Sequence, residues 1–259
     1  MFFFLMKKAF FDGWDNLEIL FITNFAFFIL SAALIWPLFI FLKPTSPVFF
    51  ALLAMISILE IILLGVVSAL MFSLANYHRV SWADFPRLLR ETWKQSLVFG
   101  ILTVSFIISS FLGIAYSLSL RSLLGFTTAM ISLWIVIGVY LTILWYFPAR
   151  NRLQGHFGEL LKKCVLLMLD NFLLSLYLGF VMIPLYLIAW PMTAFGALGP
   201  SGIQLYLNCA LRLLLYKYDW QEKNPNKKRN RVPWHAILVD EKERIGKRTL
   251  KGMIFPWKE

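Results

Sequence analysis

The sequence predicts an all-α, polytopic membrane helix bundle: six transmembrane helices arranged as three hairpins, each preceded by a cytoplasmic amphipathic helix. Three observations predict it. Of the 259 residues, 59% are hydrophobic and only 15% charged, and a soluble domain of that size has too little polar surface to cover so much apolar matter. Positions 44–78 hold a single formal charge, Glu60, and positions 171–211 hold none, whereas about 20 apolar residues suffice to cross a bilayer. Lysine and arginine fall almost wholly on one side of the crossings that these runs define, the asymmetry that orients membrane proteins.

Phe3, Met6, Phe10 and Trp14 recur at helical spacing with Lys7, Lys8, Asp12 and Asp15 around them, which predicts a short amphipathic helix lying in the interface. The opening apolar run is too short for a signal-peptide core and precedes its lysines, so it reads as part of that helix. Span 1 follows at 17–42, closing on Trp36-Pro37 and a turn over Lys43-Pro44-Thr45-Ser46-Pro47, a sequence rich in helix breakers. Span 2 covers 48–75.

A second interfacial helix is signalled by a capping box from Ser81 to Asp84 and by Pro86 in the first turn, where a missing N–H matters least. Its apolar stripe, Phe85, Leu88, Leu89 and Trp93, opposes Arg87, Arg90, Glu91 and Lys94. Spans 3 and 4 are expected at 96–120 and 123–147, with Arg121 in the turn. The third unit opens on Leu153, Phe157, Leu160, Leu161 and Cys164, opposed by Arg150, Arg152, Glu159, Lys162 and Lys163, an amphipathic pattern again. The 41 uncharged positions after it fit spans 5 and 6, at 165–190 and 194–216, and Pro184 predicts a kink in the former. Residues 1–216 therefore form the transmembrane domain, and 217–259 a basic cytoplasmic tail. Units with two spans each keep one orientation, so a symmetry axis relating them would lie along the membrane normal.

The net charge is +11, and 12 lysines and arginines against 6 acids fall in the last 43 residues. The side holding both termini carries 23 basic residues and the other side only Lys43 and Arg121, which places both termini in the cytoplasm. Basic clusters there, including Lys227-Lys228-Arg229-Asn230-Arg231, are expected to meet anionic phospholipid headgroups rather than nucleic acid. The pairs Pro233-Trp234 and Pro256-Trp257 are unusual for a disordered tail, and predict docking on the protein's own cytoplasmic face or on a partner. Cys164 and Cys209 do not make a secreted disulfide framework.

The candidate intramembrane polar site comprises Glu60, Gln204, Asn208 and Arg212. Glu60 sits near mid-depth of span 2, where an ionisable group must face protein or water; it is either a proton or cation site or a protonated carboxyl that fixes packing. Ser201, Gln204, Asn208 and Arg212 fall within about 80° on the helical wheel, so spans 2 and 6 are expected to pair through Glu60 and Asn208. The segment Gly196-Ala197-Leu198-Gly199-Pro200-Ser201-Gly202 is either an external turn or a broken helix aiming free N–H groups at an anion. His78, His156 and His235 lack any zinc-site spacing. No P-loop, nucleophile elbow or dinucleotide fingerprint is present, so no catalytic residue, cofactor or metal is expected.

Trp93-Lys94-Gln95-Ser96-Leu97 at the start of span 3, Tyr146-Phe147-Pro148-Ala149-Arg150 at the end of span 4, and the 160–171 entrance to span 5 resemble the YesL-type family of bacterial multi-pass membrane proteins, a domain of unknown function. The likeness covers most of 80–215, and the basic tail departs from it. It implies the bacterial inner membrane and a non-enzymatic accessory or scaffold subunit set beside carbohydrate ABC-transport systems. The implied partner is an ABC-transporter permease or a second copy of the chain. The alternative is a small proton- or cation-coupled carrier or channel using Glu60 and the polar face of span 6.

Overall fold

The structure, a computed structural model, describes residues 2–41, 46–153, 155–192, 198–225, 232–246 and 248. Among them the secondary structure is helical, with no strand. Five helical stretches are long and apolar enough to cross a membrane: Leu17–Phe41, Pro47–Ala75, Asp84–Ser119, Leu123–Arg152 and Phe172–Met192. The chain is accordingly a multi-pass membrane protein by length and composition of its helices.

In chain order the helices are α1 (Phe2–Trp14), α2 (Leu17–Phe41), α3 (Pro47–Ala75), α4 (Asp84–Ser119), α5 (Leu123–Ile143), α6 (Tyr146–Arg152), α7 (Phe157–Asp170), α8 (Phe172–Tyr177), α9 (Ile183–Met192), α10 (Pro200–Lys223), α11 (Trp234–Ile237) and α12 (Val239–Ile245). Local chemistry sets several of these starts. Ser46 caps α3, its hydroxyl accepting the Phe49 N–H at 3.2 Å with Pro47 next in line, and Ser122 caps α5 through the Gly125 N–H at 3.1 Å. Such caps satisfy donors that the first helical turn leaves free.

Two expected boundaries change. The second amphipathic segment is no separate element but the first three turns of α4, one 36-residue helix; the Asp84 carboxylate accepts the Ser81 N–H at 3.1 Å, and nothing after it breaks the helix. The third amphipathic segment, α7, is separate and ends at Asn171, so the apolar crossing runs Phe172–Met192 rather than 165–190. Within it, Leu178–Met182 form a π-helical turn, with the Ile183 N–H bonded to the Leu178 carbonyl. Pro184 lacks an N–H and its ring crowds the carbonyl four residues back, and the wider turn in front of it absorbs that conflict.

α10 is the hub. It packs on α1, α2, α3, α6, α9 and α11, and Ser201, Gln204 and Asn208 are all buried. That explains why it is less apolar than its neighbours: its polar side chains face protein, not lipid. Around it, α3 packs against α4, and Gly65 of α3 permits the approach, since a Cβ there would lie 2.1 Å from Ser96 Oγ. Phe99 and Tyr146 stack at 3.7 Å beside them.

α1 presents its apolar stripe outward and its polar face to the bundle. Phe3 is 89% exposed and Met6, Phe10 and Trp14 are also exposed, whereas Leu5, Lys8, Ala9 and Asp12 are buried against the bundle. An apolar stripe can face acyl chains when the opposite, polar face finds partners in the protein.

Candidate functional site

At the end of the bundle that carries α1, four helices bring charged side chains together largely out of solvent, and the turn after α3 adds Asn76 and Tyr77. Lys8 is fully buried. Its ammonium donates to Asp12 Oδ2 at 2.8 Å and to the Tyr77 hydroxyl at 2.7 Å, and lies 3.3 Å from Glu241 Oε2. Tyr77, just past the end of α3, donates in turn to Glu241 Oε2 at 2.6 Å. The other carboxylate oxygen of Glu241 pairs with Arg212 at 2.5 Å and accepts the Tyr216 hydroxyl at 2.9 Å.

Arg212 also donates to the Ala75 carbonyl at 2.6 Å and to Asn76 Oδ1 at 2.9 Å, an oxygen that Arg152 shares at 2.9 Å. Buried charges survive when each finds an opposite charge and its remaining donors and acceptors are used. Among the described residues Lys8, Arg152 and Arg212 face two carboxylates, Asp12 and Glu241, and carbonyls, amides and aromatic faces take up part of the remainder: Arg152 lies 4.9 Å from the Phe72 ring centroid and Arg212 4.9 Å from that of Tyr77, while Arg152 Nε is buried with no hydrogen-bond partner.

Tyr77 reaches this position because its backbone is left-handed, φ 63°. For a residue with a Cβ that conformation costs of order 1–3 kcal/mol, and the two hydrogen bonds of its hydroxyl offset it.

The electrostatics follow from burial and pairing. Burial pushes the Glu241 carboxyl up, but the Tyr77 hydroxyl, Lys8 and Arg212 outweigh it and hold the group below its ordinary range. For Asp12 burial wins over Lys8 and the carboxyl is raised. Burial pulls the Lys8 ammonium down, yet the neighbouring Cys209 and Asp12 more than offset this and raise it.

The C-terminal segment enters on one helical face. Leu238, Glu241 and Ile245 are buried, and their spacing of three and four residues aligns them, so two aliphatic side chains flank the carboxylate. Trp234 of the first Pro-Trp pair packs against the same core, and Lys7 caps the end of α12 at the Gly246 carbonyl, 3.3 Å away. The basic run 227–231 and the pair Pro256-Trp257 lie outside the described residues.

The four residues expected to share one intramembrane site occupy three places. Arg212 belongs to the charge cluster. Gln204 and Asn208 are on the buried face of α10, as the stripe predicted, and Asn208 donates to Ser68 Oγ of α3 at 3.2 Å. Glu60 is elsewhere: its Oε1 accepts the Ser31 hydroxyl of α2 at 2.6 Å.

The helices α3 and α10 do pair, but Asn208 stands level with Ser68 instead of Glu60. The two helices run in the same direction, so counting back eight residues puts Pro200, the start of α10, level with Glu60. Both residues line one cavity of about 820 Å³. α10 thus begins deep in the bundle, with Pro200 in the cavity wall.

The Gly199-Pro200-Ser201 segment is accordingly inside the bundle, and its donor is already used. The Ser201 N–H is bound by Asn24 Oδ1 at 2.9 Å and the Ser201 hydroxyl donates to Thr23 Oγ1 at 2.7 Å. Gly199, at φ 157°, lies so close to Trp190 that a Cβ would sit 2.7 Å from its ring. Among the described residues no three His, Cys, Asp or Glu side chains are grouped as metal ligands.

Lys8, Asp12, Tyr77 and Glu241 were not singled out by the sequence. One local signal was there, an i,i+4 pair of opposite charge at Lys8 and Asp12, and a second in the Leu238-Glu241-Ile245 spacing. No protein family, curated protein or solved structure matches the chain.

Proposed function

We propose that this is a non-enzymatic accessory or scaffold subunit of a bacterial inner-membrane system, associated with solute uptake and with both termini in the cytoplasm. One observation carries the reading: the buried cluster in which Lys8 of α1 and Glu241 of α12 meet at 3.3 Å. It spends charged groups on holding the two ends of the chain against one end of the bundle. With Lys8 and Glu241 at one end of the bundle, an even number of crossings between them is the simplest reading, and α10 is the helix left to serve as the sixth.

Lys7, Lys8, Arg152, Arg212, Arg244 and Arg248 lie at that same end, in keeping with a cytoplasmic face and anionic headgroups. The partner in this reading is a transporter permease or a second copy, bound through the amphipathic surfaces around the cluster.

The test is purification of the full chain from its own membrane after crosslinking. A permease recovered in fixed stoichiometry, and lost when Glu241 is replaced by alanine in a still-folded chain, supports the reading. Solute or proton flux by the purified chain alone in proteoliposomes, abolished by Glu60→Gln, refutes it in favour of the second reading, a small carrier or channel. That second reading is favoured by one feature, the carboxyl of Glu60 in the wall of a large cavity.

A further inference from the structure

We infer that the cavity beside Glu60 is a binding site for a lipophilic organic cation, a ligand with an aromatic or aliphatic body and one positive charge. The site is independent of the accessory role proposed above.

The cavity is an open cleft between α2, α3, α4, α9 and the start of α10, toward the end of the bundle opposite the charge cluster, and its α4 side chains Ile107, Phe111 and Leu112 are themselves exposed at its rim. Its volume, about 820 Å³, is within the range that holds drug-sized ligands. The walls are apolar, and four of the side chains that form them are aromatic: Phe27, Phe50, Phe111 and Trp190. Aromatic faces attract a desolvated cation as well as an apolar body.

The polar groups in the wall are few, and their bonding decides the ligand. The Ser57 hydroxyl is spent on the Leu53 carbonyl at 3.0 Å. Glu60 receives the Ser31 hydroxyl on Oε1 at 2.6 Å, and no lysine, arginine or histidine pairs with it among the described residues. Its second oxygen is left for whatever fills the space.

Each alternative occupant leaves something unmatched. An acyl chain fills the walls and gives the carboxyl nothing. A phospholipid headgroup brings a phosphate toward a carboxyl, which repels it. A positive charge on an apolar frame satisfies both, since a carboxyl in low dielectric gains most from a cation that comes with it out of water.

The probe is tetraphenylphosphonium, four aromatic rings about one positive charge, measured by equilibrium dialysis against the full chain in lipid nanodiscs. The native chain is expected to bind it saturably, at one per chain, above empty nanodiscs. Glu60→Gln, eluting as the native protein does, is expected to weaken binding at least tenfold. Should that variant fail to fold, Ile108→Trp serves instead: Ile108 lines the cavity from α4 and is 45% exposed, so the larger side chain fills the space without disturbing the core. It too is expected to weaken binding tenfold or more.

Absence of saturable binding, or equal affinity in the native chain and the folded variant, overturns the proposal. So does native mass spectrometry that finds a phospholipid which the probe does not displace.

Discussion

Arg212 of α10 and Glu241 of α12 form a 2.5 Å ion pair, with side-chain exposures of only 12% and 2%. The pair joins the transmembrane bundle to a segment that the charge pattern alone reads as a basic tail. Replacing Glu241 by glutamine keeps the shape but leaves Lys8 and Arg212 without their shared carboxylate. Removing one partner of a buried pair costs about 3–5 kcal/mol, so Glu241→Gln is expected to lower the midpoint of thermal unfolding in detergent. It should also release 232–246 to proteolysis. Unfolding at the native midpoint, with the segment still protected, would mean that Glu241 is not the anchor.

The same cluster sets the pH range over which the segment stays docked. Glu241 is held below its ordinary value of 4.5, so its contribution is complete above that value and is lost as pH falls through the depressed one. Lys8 is raised above 10.5, so its contribution is complete below 10.5 and is lost as pH rises through the raised value. Asp12 is raised from 3.8 and acts in the opposite sense to Glu241, favouring the folded state below 3.8 and losing that effect as pH rises. The balance between the two acids follows from linkage, and with Glu241 carrying the contact the segment is docked from about pH 5 to pH 10. Spin labels at Phe10 and Val239, both exposed, should report one sharp distance across this window and a broadened one below it. A distance that is unchanged down to pH 2 would contradict the assignment.

How much of this was legible in the sequence follows from which interactions are local. Five apolar crossings and the inward polar stripe of α10 are readable because composition and helical period encode them. The partner of that stripe is not. Counting both spans from a common surface puts Glu60 level with Asn208, but α10 starts at Pro200, deep in the bundle, and its Gly-Pro start fits an external turn as well as a broken helix. The burial of Lys8 and Asp12 is not legible for a different reason: amphipathicity identifies two faces of α1, and only the availability of Tyr77 and Glu241 gives the polar face its partners.

Gly65 tests the close approach of α3 and α4. A Cβ there would meet Ser96 Oγ at 2.1 Å and Phe147 Cε1 at 3.0 Å, and all three residues lie in packed surroundings. Overpacking of this kind costs about 1–3 kcal/mol, and Ser96 would have to turn away from Arg150. Gly65→Ala is therefore expected to lower the unfolding midpoint, and Gly113→Ala, with open space around its site, to leave it unchanged. Equal stability of the two variants would show that the helices have room to separate.

Arg150 is the most exacting case. From α6 its guanidinium reaches the Gly65 carbonyl of α3 at 2.8 Å, Ser96 Oγ of α4 at 2.9 Å and Asn151 Oδ1 at 3.0 Å, over the face of Phe147. No carboxylate pairs with it among the described residues, so its value lies in the planar fork that bridges two helices at once. Lysine keeps the charge and its desolvation but cannot span both acceptors. Methionine gives up the bridge and also the buried charge. Arg150→Lys is expected to lose about 2–3 kcal/mol, the scale of hydrogen bonds from a charged group, and Arg150→Met to lose less. Denaturant unfolding in mixed micelles measures both, and a lysine variant more stable than the methionine variant would show that charge, not geometry, is what α6 contributes.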